Sequence, residues 1–82
     1  MQNMKRLYRF ETRIGTFYIA YCPGGERYHA IYENELLGAY DHPQHAAQDL
    51  ADGHTDSISA GVDTAELGIP DDLGDWERLA KS

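Results

Sequence analysis

Residues 36–53, LLGAYDHPQHAAQDLADG, decide the fold because they join a strand to a helix. Asp41 can cap the start of that helix, and Gln44, three residues later, stands in the position of a capping box. Pro43 fits the first helical turn, where its missing N–H costs nothing. Gly53 supplies the left-handed residue that often ends a helix. The stretch therefore predicts a strand, a cap, a helix and a stop.

The helix predicted over about residues 41–52 has one narrow apolar stripe. Its apolar residues recur at positions i, i+1, i+4 and i+5, which places them on one side of a helix. They are Ala46, Ala47, Leu50 and Ala51. Because alanine is small, such a helix can lie close against a sheet.

The residues before this helix predict strands, since β-branched and aromatic residues are grouped in short runs between turn formers. The predicted strands cover residues 7–12, 16–22, 27–32 and 35–40. The Pro-Gly-Gly tripeptide at residues 23–25 suits a hairpin loop. We predict an α+β fold, in which a three- or four-stranded antiparallel meander packs against one α-helix and is followed by an acidic tail with short helical turns.

The length of 82 residues predicts a single domain. Residues 1–53 are expected to form the core of sheet plus helix, and residues 54–82 an acidic C-terminal extension. In that extension Leu73, Trp76 and Leu79 recur at i, i+3 and i+6, which predicts a short C-terminal helix. Trp76 either packs back on the domain or is an anchor offered to a partner, since tryptophan is common among interface hot spots.

The chain is acidic, with a formal net charge of −7, a pI near 4.8 and a mean hydropathy of −0.61. This charge repels a phosphate backbone, which disfavours binding of nucleic acid or of an anionic membrane by the whole surface. The charge is also uneven, since residues 1–34 carry a net +2 and residues 35–82 a net −9. We expect a folded, soluble domain with two electrically different ends.

The cysteine content and the N-terminal sequence favour one compartment. A single cysteine, Cys22, excludes an internal disulfide and every multi-cysteine zinc site, which favours a reducing environment. The first ten residues, MQNMKRLYRF, contain no apolar run of the length that a signal peptide or a membrane span needs. We therefore expect a cytoplasmic protein of bacterial style without membrane association.

Side chains alternate between the two faces of a strand, so the strands predict two different surfaces. The residues expected to face the helix are Phe10, Phe17 and Ile19. The opposite face then carries Arg9, Glu11, Tyr18 and Ala20.

On the third predicted strand the alternation leaves two assignments open. One set consists of Tyr28, Ala30 and Tyr32, and the other of Arg27, His29 and Ile31. If the tyrosine set is buried, the exposed face of the sheet gathers Arg9, Arg13, Tyr18, Arg27 and His29. Such a basic face can hold single-stranded nucleic acid by stacking and charge, or it can be an ordinary solvated surface. The predicted partner-binding residues are the five residues of this basic face and Trp76.

Groups that could carry chemistry are sparse. A weak metal-site pattern consists of Asp41, His42, His45 and His54. Because it lacks the further ligands of a defined motif, solvated surface histidines are the favoured interpretation. Ser57 or Ser59, near His54 in a polar loop, does not form the nucleophile, base and acid set of a hydrolase. We expect no enzyme activity, no cofactor and no metal site.

The segment LGAYDHPQHAAQDLA, residues 37–51, resembles the strand-to-helix joint of the ethylene-response-factor DNA-binding domain, and it is similar to sheet-plus-helix arms of phage-type integrases. The matching residues are Leu37, Gly38, Tyr40, Asp41, Ala46 and Ala47. The pattern is also similar to that of small bacterial sheet-plus-helix proteins. The resemblance implies a sheet crossed by one helix. In the plant family, Arg and Trp side chains on the strands read DNA, whereas the predicted strands of this chain contain no Trp.

The leading expectation is a non-enzymatic binding or accessory module that engages a protein partner, because the core is small and the two parts of the chain carry opposite net charge. The alternative is a nucleic-acid-binding module that uses the basic and aromatic face of the sheet. A third reading is a metal-dependent hydrolase around His42, His45 and His54. Self-association, with the basic sheet of one copy against the acidic tail of another, is a further expectation.

Overall fold

A computed structural model describes residues 5–55 and 61–79. The described chain contains five β-strands, one α-helix and two short 3-10 turns. The strands are β1 (Lys5–Thr12), β2 (Gly15–Cys22), β3 (Arg27–Tyr32), β4 (Glu35–Tyr40) and β5 (Glu77–Arg78). The helix α1 covers Pro43–Asp52, and the 3-10 turns cover Thr64–Glu66 and Leu73–Asp75. The predicted α+β fold, an antiparallel sheet with one helix, is confirmed.

The five strands form one antiparallel sheet in the order β4-β3-β2-β1-β5. The first four strands are the predicted meander. The prediction of three or four strands was wrong, because the short strand β5 adds to the outer edge of β1. There Glu77 lies opposite Arg9 and Arg78 opposite Tyr8.

The C-terminal helix predicted from the spacing of Leu73, Trp76 and Leu79 does not form. The second 3-10 turn ends at Trp76, whose backbone is extended and leads directly into β5. Leu79 N–H then donates to Leu7 O at 2.8 Å. A helix this short has only marginal stability on its own. The same residues, when extended, can form backbone hydrogen bonds with the edge of β1. Pairing with the sheet therefore overrides the local spacing.

The core lies between the sheet and α1, and its members come from β2, β3, β4, α1 and the segment after α1. They are Phe17, Ile19, Ala30, Leu37, Ala46, Ala47, Leu50, Ile69 and Trp76. Two of the three helix alanines, Ala46 and Ala47, are fully buried, so the backbone of α1 can approach the sheet closely. The segment after α1 contributes Ile69 and Trp76 to this same core.

The start of α1 differs from the prediction. The residue at the N-cap is His42, without a capping side-chain hydrogen bond, and Pro43 occupies the first helical position as expected. The predicted cap at Asp41 was wrong, because this carboxylate instead lies 3.5 Å from the Arg27 guanidinium. The capping box at Gln44 was also wrong, because its amide is used elsewhere in the fold.

The end of α1 is as predicted. Gly53 adopts left-handed backbone angles, with φ 76° and ψ 25°. Its N–H donates to Leu50 O at 3.3 Å, and His54 N–H donates to Asp49 O at 2.9 Å. These two bonds form the Schellman motif and satisfy carbonyls that the helix leaves unpaired. A Cβ on Gly53 would overlap the Asp63 carboxylate, so this position excludes a side chain for two reasons.

We expect Gly53→Ala to destabilise the fold more than Gly68→Ala does. Gly68 has a similar φ of 73° but open space around its Cα. Its substitution should therefore cost about 1–2 kcal/mol of unfolding free energy from left-handed strain alone. Gly53→Ala should cost about 1 kcal/mol more, because Asp63 must also move. Urea unfolding measures both, and equal losses would contradict the close packing of Gly53 on Asp63.

The segment after α1 is held to the domain by Gln44 and Trp76. The Gln44 side-chain amide donates to Asp71 O, and its oxygen accepts from Leu73 N–H at 3.3 Å. Trp76 is 5% exposed, its ring centroid lies 5.8 Å from that of Phe10, and its indole N–H donates to Pro70 O at 2.9 Å. Of the two readings of Trp76, the structure shows the one in which it packs back on the domain.

Gln44→Leu should cost about 1–3 kcal/mol of unfolding free energy, because it leaves the partly buried Leu73 N–H without its acceptor. Gln48→Leu is the matched control, since Gln48 is exposed on the same helix, and its effect should stay within about 0.5 kcal/mol. Urea unfolding followed by Trp76 fluorescence compares the two variants. Equal midpoints would contradict the role of Gln44 as the link between α1 and residues 71–73.

Candidate functional site

The alternation predicted for β1 and β2 is confirmed. Phe17 and Ile19 belong to the core beneath α1, and Phe10 packs against it. The intervening residues Arg9 and Tyr18 pair with each other across the strands, and they lie on the other face. We call the sheet face opposite α1 the far face.

The open choice on β3 is settled in favour of the buried tyrosine set. Ala30 belongs to the core, and Tyr28 and Tyr32 pack against it. The far face therefore carries the alternate residues of β3, which are Arg27, His29 and Ile31.

The registers place one residue of each strand in a line across the far face. The line runs Glu77, Arg9, Tyr18, Ile31 and Leu36, from β5 to β4. Its β5 end is charged and its β4 end is apolar. Leu36 is 54% exposed, and it is the exposed large hydrophobic residue in the described part of the chain. Ile31, by contrast, is buried between its neighbours Tyr18 and Leu36 in the line.

Two of the three arginines predicted on this face, Arg9 and Arg27, are engaged with carboxylates. Arg9 Nη1 donates to Glu77 Oε1 at 3.1 Å, and Arg9 Nη2 lies 3.6 Å from Glu11 Oε1. Arg27 Nε lies 3.5 Å from Asp41 Oδ1. The acidic partners thus balance much of the positive charge that the sequence places on these strands.

A third arginine, Arg6, lies on the far face although strict alternation with Arg9 would place it on the opposite one. The register of β1 against β2 shifts between Arg6 and Tyr8, which is a β-bulge. The guanidinium carbon of Arg6 lies 4.1 Å from the centre of the Tyr18 ring, a cation–π contact. Its Nη2 also donates to Glu33 O and to Asn34 Oδ1. The sequence holds no clear signal for this bulge, so Arg6 was missed.

His29 lies on the far face between Ala20 and Ala39 in the register. Its Nδ1 is buried, and among residues 5–55 and 61–79 it has no hydrogen-bond partner. Cys22 lies on the same face opposite Arg27 and is buried.

Two predicted partner-binding residues lie apart from this face. The Arg13 guanidinium donates to Glu66 O at 3.2 Å, in the first 3-10 turn, which contacts α1. Trp76 is buried in the core on the α1 side. Of the six predicted residues, the structure therefore brings Arg9, Tyr18, Arg27 and His29 together on one face.

The three histidines of the predicted metal-site pattern lie at opposite ends of α1. The rings of His42 and His45 meet edge to face at its start, with centroids 5.3 Å apart. His54 follows its end, about 15 Å away by helical rise, and its Nδ1 lies 4.0 Å from Asp49 Oδ1. In the described ranges no three His, Cys, Asp or Glu residues are placed to hold a metal ion. Ser57 and Ser59 lie outside the described residues.

No protein-family model, curated protein or solved structure matches the chain. The resemblance to the ethylene-response-factor domain therefore stays a sequence-based expectation. Within the ranges that the structure covers, no helix has the length and apolar character needed to cross a membrane.

Neighbouring leucines of β4 test the division between the two faces. Leu37 is 2% exposed in the core, so Leu37→Ala should cost about 2–5 kcal/mol of unfolding free energy. Leu36 is 54% exposed on the far face, and Leu36→Ala should cost no more than about 0.5 kcal/mol. Urea unfolding of both variants measures the difference. A loss for Leu36→Ala as large as that for Leu37→Ala would contradict this division.

Proposed function

We propose that the protein is a small, non-enzymatic binding module that engages a protein partner through the far face of its sheet. The observation that carries this proposal is the line from Glu77 to Leu36. It joins an exposed leucine and a partly exposed tyrosine to an arginine whose charge is already balanced. Protein interfaces are enriched in Tyr and Arg and poor in unbalanced charge at their centres.

The alternative is a nucleic-acid-binding module that uses the same face. Tyr18 could stack on a base, and Arg6, Arg9 and Arg27 could meet phosphates. This alternative has less support, because Arg9 and Arg27 already pair with carboxylates. Phosphate contacts gain affinity by releasing counterions from cations that are free to bind, and the whole chain carries a net charge of −7.

The groups on the far face are suited to binding rather than to covalent chemistry. They are guanidinium, phenol, imidazole and aliphatic side chains spread over an open sheet surface, with Cys22 buried among them. We also propose a cytoplasmic location, since a sequence with a single cysteine cannot form an internal disulfide and suits a reducing compartment.

Site-specific photo-cross-linking tests the proposal. A photoreactive phenylalanine analogue is placed at Leu36 on the far face or, as the control, at Gln48 on the exposed side of α1. We expect position 36 to form an adduct with one identified protein in cells, and position 48 to form none with it. The purified partner should then bind the chain in solution, and Tyr18→Ala should weaken its affinity about tenfold or more.

Equal adducts from both positions would contradict a specific far-face site. Adducts of position 36 with nucleic acid instead of protein would favour the alternative. Undiminished affinity of the Tyr18→Ala variant, with its fold retained, would also count against the proposed surface.

A further inference from the structure

We infer that the outer edge of β4 binds an extended, basic segment of the partner, which adds to the sheet as a sixth strand. This segment would replace the Arg27 side chain, which now donates to the β4 backbone at Ala39. The inference rests on the proposed function and names the class of partner segment. Strand β4 carries Leu36, so the edge and the far face meet at the same residue.

The two edges of the described sheet differ in their protection. Strand β5 is two residues long and consists of exposed Glu77 and Arg78. Short length and charge are the devices by which natural sheets prevent further strand addition. Strand β4 is six residues long and uncharged from Leu36 to Tyr40, and no described strand pairs with its outer side. The edge of β4 is therefore the better strand acceptor.

The backbone of Ala39 points outward at this edge. Glu33 N–H donates to Thr16 O at 2.9 Å, which fixes the alternation of hydrogen-bonded pairs between β2 and β3. Because successive residues of β3 direct their N–H and C=O groups alternately to β2 and to β4, those of Ala30 point toward Gly38, its partner on β4. Ala39, the next residue, then presents its N–H and C=O to the outside.

Arg27 covers this outward group. Its Nη2 donates to Ala39 O at 3.4 Å, while its Nε lies 3.5 Å from Asp41 Oδ1. The guanidinium is anchored on the exposed surface, with its side chain 48% exposed, so it can move away at low cost. A cationic donor thus already occupies the acceptor that an added strand would use.

The charge of the surrounding chain selects a basic occupant. Strand β4 begins at Glu35 and is flanked by Glu33 and Asp41, and residues 28–77 contain no Lys or Arg. A second copy would bring two such segments together, and like charges across a ladder are destabilising. An extended segment with Lys or Arg beside an apolar centre complements both the acidic surroundings and Leu36. The register of β4 against β3 shifts at Leu37, a β-bulge, and is regular over residues 38–40, of which Ala39 is the middle residue.

A peptide titration of the full chain tests the inference. The probe is acetyl-Lys-Val-Thr-Val-Thr-Val-Lys-amide, and its binding is followed through the Ala39 amide resonance. The first control peptide is N-methylated at alternate residues and cannot form the ladder. The second has Glu in place of both Lys. We expect the probe to shift and protect the Ala39 amide, and each control to bind about tenfold more weakly or worse.

Arg27→Ala should tighten binding of the probe about threefold or more, because the competing bond to Ala39 O is removed. Arg13→Ala is the matched control, since it removes one arginine that contacts Glu66 instead, and it should leave the affinity unchanged. Equal affinity of the N-methylated peptide, or no gain from Arg27→Ala, would overturn the inference. A dimer of the chain that pairs through β4 and excludes the probe would do so as well.

The outcomes separate this inference from the proposed function. If the analogue at position 36 cross-links to a protein partner but the probe peptide does not shift or protect the Ala39 amide, the edge inference alone is overturned. A probe that binds Ala39 while position 36 forms no adduct would overturn the far-face proposal and leave the edge as the binding element.

Discussion

The alternation of side chains along β2 is the constraint on which the remaining structure depends. Phe17 and Ile19 are fully buried beneath α1, so Tyr18 and Ala20 must occupy the opposite face. A slip of one residue would exchange these two sets and expose the core. Because the neighbouring strands pair with β2 in fixed register, the same choice extends across the sheet as far as Leu36. The candidate binding surface is thus a consequence of how the core is packed.

The segment after α1 serves the core and the far face together. Trp76 and Ile69 extend the core, and the backbone that follows Trp76 becomes β5. Through β5, Glu77 reaches Arg9 and balances its charge at the end of the far-face line. A sheet-and-helix core without this segment would leave Phe10 without its aromatic neighbour and Arg9 without this carboxylate. The acidic C-terminal part therefore adjusts the electrostatics of the surface that we propose binds a partner.

Features governed by local chemistry were predictable from the sequence. The four strands of the meander, the proline at the start of α1 and the glycine at its end follow from backbone preferences. The helix-facing set Phe10, Phe17 and Ile19 follows from a period of two. The same period assigned Arg9 and Tyr18 to the other surface, whereas Arg27 and His29 joined them only under one of the two assignments left open for β3.

Features governed by contacts between distant residues were missed. Gln44 was assigned to a capping box because only its neighbours in sequence were considered, whereas its amide bonds residues 71 and 73. Arg6 reaches the far face through a bulge, and Arg13 turns toward Glu66. Strand β5 exists only because the edge of β1 is open to it. Each of these depends on the tertiary arrangement, which no local pattern encodes.

Nuclear Overhauser contacts between methyl groups test the two-faced sheet most directly. With Ile, Leu and Ala methyls labelled, the account predicts that Ile19 shows contacts to the methyls of α1, among them those of Ala47 and Leu50. Ile31 should show contacts to Leu36 and none to these helix methyls. Contacts of Ile31 with Ala47 or Leu50, together with contacts of Ile19 with Leu36, would contradict it.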